Sequence, residues 1–441
     1  MSYAIAVSGL YAAQTDLDAT SHNIANSSTV GFKEGRAEFA DVYANTIGEV
    51  EGQSTGRGVK VTGVTQQFTQ GTVEFTGNSL DLAMNGEGFF ITKSPNDEIY
   101  YTRAGQFSVD KDGYVVNHAE RRVQVLPVKG TTDPFDIPNV EFVDSAAPEA
   151  LDDLKLPPDQ GEPNATEDVS LAINLDSTET IPALAFDVSD PDTYNSSTSM
   201  NFYDSQGNSH IANYYFVKTA DNEWNAHVQV DEGDGTFTDT ANSPIALTFD
   251  SSGKLATVGG TAVDPTDPTT YQSSELVTLS NGTNIGAYDS TANSYNDTVV
   301  LDFSSLTQYG SPFSVNNLSQ DGYTVGRLNG IDVEPDGGVY ARYTNGQSMA
   351  MGKIALANFN NPQGLSKAGD TAWQYSAAAG EPQVGGPLTS DFGSVQSGAT
   401  ESSNTDLASQ LVKLIIAQRN YQANAQVITT NKTLTQTILN I

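Results

Sequence analysis

The chain has 441 residues, with 54 acidic against 20 basic side chains and a formal charge of −34 at pH 7. That balance argues against nucleic acid, whose binding rests on Lys and Arg neutralising phosphates, and against anionic membrane surfaces. There is no cysteine, and the four histidines, His22, His118, His210 and His227, do not cluster at metal-ligand spacing. Disulfide staples, thiolate metal sites and a histidine metal centre are therefore not predicted.

No stretch of about 18 apolar residues occurs, so no membrane insertion is predicted. The N-terminus "MSYAIAVSGLYAAQTDLDATSHNI" lacks a basic region and a small-residue cleavage site, and so does not read as a Sec-type signal peptide. The chain is expected either to be cytoplasmic or to leave the cell uncleaved. The acidity reads as solubility and self-repulsion of an exposed surface.

Taken in order, the first predicted element is a helix from Tyr3 that runs into "SHNIANSSTVGFKEG" (21–35). Small or apolar positions recur at Ala6, Leu10, Ala13, Leu17, Thr20 and Ile24, in steps of four and three, which is heptad spacing. The middle of the chain is β-rich. "NYYFVK", "WNAHVQV", "VVLDF" and "GVYARYT" read as strands, and "DSQGN", "DEGDGTF" and "EPDGGV" as turns between them. Residues 129–168 and 259–298, rich in Ser, Thr, Asp and Pro, read as linkers or loop-heavy β segments.

The last element is a second helix with its own heptad run, Leu407, Leu411, Leu414, Gln418, Tyr421, Ala425 and Ile428, continuing more weakly to Leu439. Ser403 and Asp406 form a candidate capping box at its start. At about 1.5 Å per residue the two helices are roughly 35 and 50 Å long. Their off-seam positions are Gln, Asn, Ser, Thr and Ala rather than charges, which suits helices touched on several sides. Either the two ends form a simple coiled coil within one chain, or both pack against further copies, and a contact that does not close by rotation makes a tube.

Chemical motifs are weak. "NGEGFF" (85–90) and "GRGVK" (56–60) lack the glycine pattern of a phosphate cradle. "VDEGDGTFTD" (230–239) places Val230 where a calcium loop requires a carboxylate, and so reads as a hairpin. There is no Gly-x-Ser-x-Gly elbow. No catalytic, cofactor-binding or metal residue is assigned, and an enzyme is not expected.

"SHNIANSSTVGFKEGRAEFADVYA" (21–44) resembles the N-terminal signature of the axial proteins of the bacterial flagellum, the rod, hook and hook-associated proteins. "FTQGTVEFTGNSLDLAMNGEGFFIT" (68–92) with "YTRAGQFSVDKDGYVV" (101–116) resembles the shared second domain of the rod and hook members. Residues 321–365 resemble its returning half and 397–429 the family's C-terminal helix. "HAERRVQVLPVKG" (118–130) departs from the family by lacking the expected Gly-containing turn and Gln-Gly pair. The large insertion, about 130–320, resembles the hook members rather than the shorter distal rod ones, and the terminal helices are too short for flagellin.

What the resemblance implies is a mainly β fold with terminal α-helices. The expected division is an inner coiled-coil domain (1–28 with 403–441), a connector (29–70), a middle β domain (71–165 with 308–402) and an outer β-sandwich or barrel-like domain (166–307). The implied function is a structural subunit of a curved hook tube that passes motor torque from rod to filament. The helix-seam residues Ala6, Leu10, Ala13, Leu17, Ile24, Leu407, Leu411, Leu414, Tyr421, Ala425 and Ile428 carry assembly. Asn26, Gly31, Phe32 and Lys33 form a connector or hinge, with His22 a neutral polar contact there. The helices are expected to be poorly ordered until assembly.

Implied partners are many copies of the chain, the rod and hook–filament junction proteins, the hook cap and the flagellar type III export apparatus, with an extracellular location and no cofactor. A secreted adhesin or surface-layer protein is the alternative from another class, with a polysaccharide-acting enzyme more distant. Neither requires heptads at both ends.

Overall fold

The computed structural model describes residues 2–42, 56–130, 135, 137–144, 147–157, 160–231, 237–240, 242–264, 266–276, 288–289, 294–295, 298–389 and 392–439. Among the described residues, two α-helices and many short strands form two compact units. One comprises Met1–Pro158, Asn329–Arg342 and Gln347–Ile441; the other comprises Asp159–Leu328 and Tyr343–Gly346.

The first unit begins with helix α1, Ser2–Ala25, whose Ala, Leu and Gln content favours helix and which contains no proline. The Asn-Ser-Ser-Thr run after it offers side-chain competitors for the backbone, and the helix stops there. Strands β1, Gly35–Asp41, and β2, Val59–Gln66, then pair antiparallel, with an irregularity between Glu38 and Phe39. They lean on α1: the Ser8 hydroxyl accepts from the Val59 amide at 3.2 Å. Strand β3, Val73–Phe75, pairs with Ala399–Glu401 from the far end of the chain.

The body of this unit is a 13-stranded sheet. Its central strands are buried on both faces, so neighbouring residues enter different cores. Phe90 packs with Leu82, Met84, Phe107, Val125 and Ile354. Phe89 and Ile91 face the other way, towards Tyr101, Leu126, Phe359 and Trp373. The aromatic rings on that side meet edge-on, with centroids 4.8 Å apart for Tyr101 and Phe359.

The second unit is a sandwich of a five-stranded and a seven-stranded sheet. Alternate residues of the strand Asp168–Asp176, namely Val169, Leu171, Ile173 and Leu175, point into one core with Phe216, Trp224, Val228 and Leu247 of the other sheet. Three of the expected strands are present here, at Ser209–Ala220, Glu223–Asp231 and Thr298–Asp302, and the fourth, Gly338–Tyr343, runs in the 13-stranded sheet of the first unit. The "DSQGN" turn closes on Asp204, whose carboxylate accepts from the amides of Gln206 and Asn208, and Gly207 takes φ 80°. The strands flanking "DEGDGTF" pair antiparallel, while its interior, 232–236, lies outside the described residues.

Two boundaries differ from those read in the sequence. Strand Ser314–Gln320 pairs with Asp168–Asp176, so the second unit continues to Leu328 rather than stopping at 307, and it begins at Asp159 rather than 166. The stretch from 259, read as a linker or a loop-heavy β segment, contains Gln272–Leu276, which pairs with Thr298–Asp302, in keeping with the second of those readings. Ladder pairing to distant strands decides where the second unit begins and ends, and local composition does not register it.

Candidate assembly surface and the junction behind it

Helix α2, Leu407–Leu439, starts later than the capping box predicted. Asp406 is the cap: its carboxylate accepts from the Ala408 amide at 2.9 Å, while the Ser403 hydroxyl accepts from Thr405. The helix lies antiparallel to α1. Asn23 donates to the Gln410 side chain at 3.3 Å, and at the other end of the pair a Cβ on Gly9 would fall 2.7 Å from Asn424 Oδ1. Small residues set the approach. Ala6, Ala13 and Thr20 on α1 and Ala417 on α2 are buried, and Gly9 has no side chain to intervene.

The seam that α2 presents to α1 uses only part of the predicted heptad. Gln410 and Ala417 are its buried positions, with Leu414, Asn424, Ile428 and Asn431 half-buried. Of the predicted set, Leu414, Ala425 and Ile428 are half-buried, whereas Leu407, Leu411, Gln418 and Tyr421 are exposed. On α1, Leu10, Leu17 and Ile24 are half-buried. The reason is spacing: the antiparallel pair uses a small, polar heptad, and the larger aliphatic residues are left outside it. Leu411, Val412, Ile415 and Ile416 are 49%, 57%, 48% and 51% exposed, and Tyr3, Ile5 and Tyr11 are exposed on α1. A contiguous apolar surface of this kind marks an interaction site. Val412, Ile415 and Ile416 were missed from sequence, although "LVKLIIAQ" is apolar on more than one face and so signals a helix with more than one neighbour.

The residues expected to form a hinge are tightly held. Asn26 donates from its side chain to the His22 carbonyl at 2.9 Å, and Thr29 donates back to Asn26. Gly31 adopts φ 69°, and a Cβ there would lie 2.4 Å from the Ala104 amide nitrogen. Phe32 is buried, its ring 5.5 Å from that of His22. Lys33 is buried and donates to Glu401 Oε1 at 2.6 Å and to the Thr69 carbonyl at 2.8 Å. Burial pushes the Lys33 ammonium below the usual lysine range, and Glu401 pulls it part of the way back.

Glu401, fully buried, was invisible as a partner because it lies 368 residues away in sequence. Its second oxygen meets Arg103 at 3.4 Å, and its first also accepts the Gly71 amide at 2.8 Å. Around it, Asn404 accepts from the Glu34 amide and donates to Gln67 and Thr69, while Glu34 takes Gln410 and Lys413. A cavity of about 950 Å³ adjoins the end of α1, lined among others by His22, Asn26, Phe32, His118 and Trp373. Among the described residues no group of acidic or histidine side chains is arranged to hold a metal.

Paired terminal helices with a β-rich body between them are what the resemblance to the rod-and-hook class of flagellar proteins leads one to expect, and family models match along the chain. Models for flagella basal body rod protein, the flagellar hook protein FlgE/F/G D1 domain, the flagellar basal body protein FlaE D2 domain and the flagellar basal body rod FlgEFG C-terminal region match residues 4–33, 83–168, 174–323 and 396–441. The chain is similar to flagellar hook protein FlgE of Salmonella typhimurium, 38% identical with 100% of both chains covered. It is 35% identical to that of Escherichia coli K12, with 100% of both covered. Against that of Borreliella burgdorferi it is 32% identical, covering 99% of this chain and 98% of the relative. The crystal structure of Helicobacter pylori flagellar hook protein FlgE2 shares the fold, with a TM-score of 0.51 at 15% identity over 75% of this chain and 100% of that one.

The chain therefore belongs to the flagellar hook protein family and is a structural subunit of the hook. The adhesin, surface-layer and distal-rod readings gain no support from these relatives.

Proposed function

We propose that the chain polymerises through its terminal helices into an open tube that acts as a flexible joint, passing torque from rod to filament. The observation that carries this reading is the aliphatic surface of α2: Leu411, Val412, Ile415 and Ile416 stay exposed although α2 already packs on α1. A helix buried on one side and apolar on the other needs a second neighbour, and a tube of identical subunits supplies one. In this reading α1 and α2 form the innermost layer and become fully ordered on assembly. The segment 29–70 is the connector, the 13-stranded unit the middle layer, and the sandwich the outer, solvated layer. The assembly residues are the predicted seam together with the exposed set on α2.

Rod and junction proteins at the two ends, a cap during growth and delivery by the flagellar type III export apparatus to the cell exterior complete the proposal. The role is mechanical and involves no catalysis. Sedimentation and electron microscopy of the full chain and of a truncated chain, residues 31–402, test it. The full chain is expected to form tubes and the truncated chain to remain monomeric; tubes from the truncated chain would remove the role given to the helices.

A further inference from the structure

Both strands of chain that join the helices to the β body pass one buried carboxylate. The outgoing segment supplies the Gly31 amide, which donates to the Glu401 carbonyl at 2.8 Å, and the Lys33 ammonium, which donates to Glu401 Oε1 at 2.6 Å. The returning segment is Glu401 itself, paired in a ladder with Val73 of β3. The body contributes the Gly71 amide to Oε1 and Arg103 to Oε2. At Gly71 a Cβ would lie 2.0 Å from the Ser402 carbonyl oxygen, so the crossing is closed to any larger residue. Lys33, Arg103 and Glu401 are all at most 4% exposed.

Charge-assisted hydrogen bonds in a low-dielectric site resist deformation more than neutral ones, because losing any one leaves a buried charge unpaired. We propose that Glu401 is a positioning residue that locks the helical pair to the β body, so that this crossing transmits twist rather than absorbing it. The proposal rests on the tube reading. Compliance of the joint then resides elsewhere, and the segment that looks like a hinge is the stiffest link between helices and body.

The test uses the full chain as wild type, Glu401→Gln and the charge-matched Lys33→Met/Glu401→Gln. Amide exchange is read on the free subunit, and torsional stiffness on tubes from the fluctuations of an attached bead. In Glu401→Gln, exchange at Gly31 and Gly71 is expected to rise at least tenfold with Phe89–Lys93 unchanged, and tubes to soften at least twofold. The double variant, which leaves no lysine unpaired, is expected to fall between Glu401→Gln and wild type. Should Glu401→Gln not assemble, the double variant carries the comparison. Wild-type stiffness in either variant overturns the lock. Failure of both variants to assemble would make Glu401 a requirement for assembly itself and would also overturn it. Failure of the wild-type chain to form tubes removes the tube reading, and the lock with it.

Discussion

Single residues in this chain do their work by what they exclude. Gly31 sits at φ 69° with the Ala104 amide nitrogen 2.4 Å from where a Cβ would be, so Gly31→Ala combines backbone strain with a backbone clash. Its expected cost is more than ~1 kcal/mol, visible as a lower denaturant midpoint at unchanged slope. Asp204 makes a case in pH. Burial raises its carboxyl, but this is outweighed by hydrogen bonds from the Asn208 side chain and amide, His210 and the Gln206 amide, so its pKa lies below the usual 3.8. A carboxylate with a depressed folded pKa contributes stability above its unfolded pKa and loses it as pH falls through the folded one. Asp204→Asn is therefore expected to destabilise the sandwich at pH 7, with the gap from wild type narrowing below about pH 4 in thermal melts.

Asp16 has the opposite sign. Burial raises its pKa, and Lys413 offsets only part of that, so the charged form is disfavoured in the folded chain. Its relative contribution is greatest below the unfolded pKa and is lost as pH rises through the folded one. Asp16→Asn is expected to tighten the helix pair at pH 7 and to have no effect in acid, read by helical circular dichroism on heating.

At the scale of elements, α2 has two faces with different chemistry, and they separate by mutation. Ala417→Leu places three extra carbons in the buried α1–α2 contact and is expected to cost about 1–3 kcal/mol of helix-pair stability. Ile416→Asp puts a charge on the open face, where the side chain is 51% exposed, and is expected to leave the monomer's helicity unchanged while preventing tubes from forming. If Ile416→Asp tubes appeared at wild-type concentration, that face would not be an assembly surface.

The helices were legible as helices because 3.6-residue periodicity is local. Which stripe faced which partner was not. Heptads through 407, 411 and 414 and through 410, 414 and 417 share Leu414, and the choice turned on the small residues Gly9, Ala13 and Ala417, whose value lies in the space they leave. The strands "WNAHVQV" and "VVLDF" were legible by composition, and the turn "DSQGN" by its Asp and Gly. The membership of Ser314–Gln320 in the sandwich and the Lys33–Glu401 contact were not, because each depends on a partner far away in sequence.

For the molecule as a whole, the formal charge of −34 opposes bringing copies together. The Debye length shrinks from about 30 Å at 0.01 M salt to about 8 Å at 0.15 M. Polymerisation is therefore expected to begin at a lower protein concentration as sodium chloride is raised across that range, measured by light scattering. Independence from salt would mean that the acidic surfaces stay farther apart in the tube than a screening length.

The contact between residues 33 and 401 also bears on how such chains can vary. In sequence, the 13-stranded sheet and the sandwich both lie between its two sides, and the sandwich is a smaller insertion within that stretch. Length added or removed within the sandwich, Asp159–Leu328, changes neither that contact nor the two helices. A lineage can therefore enlarge, trim or redecorate the sandwich while the contact and the two helices stay the same.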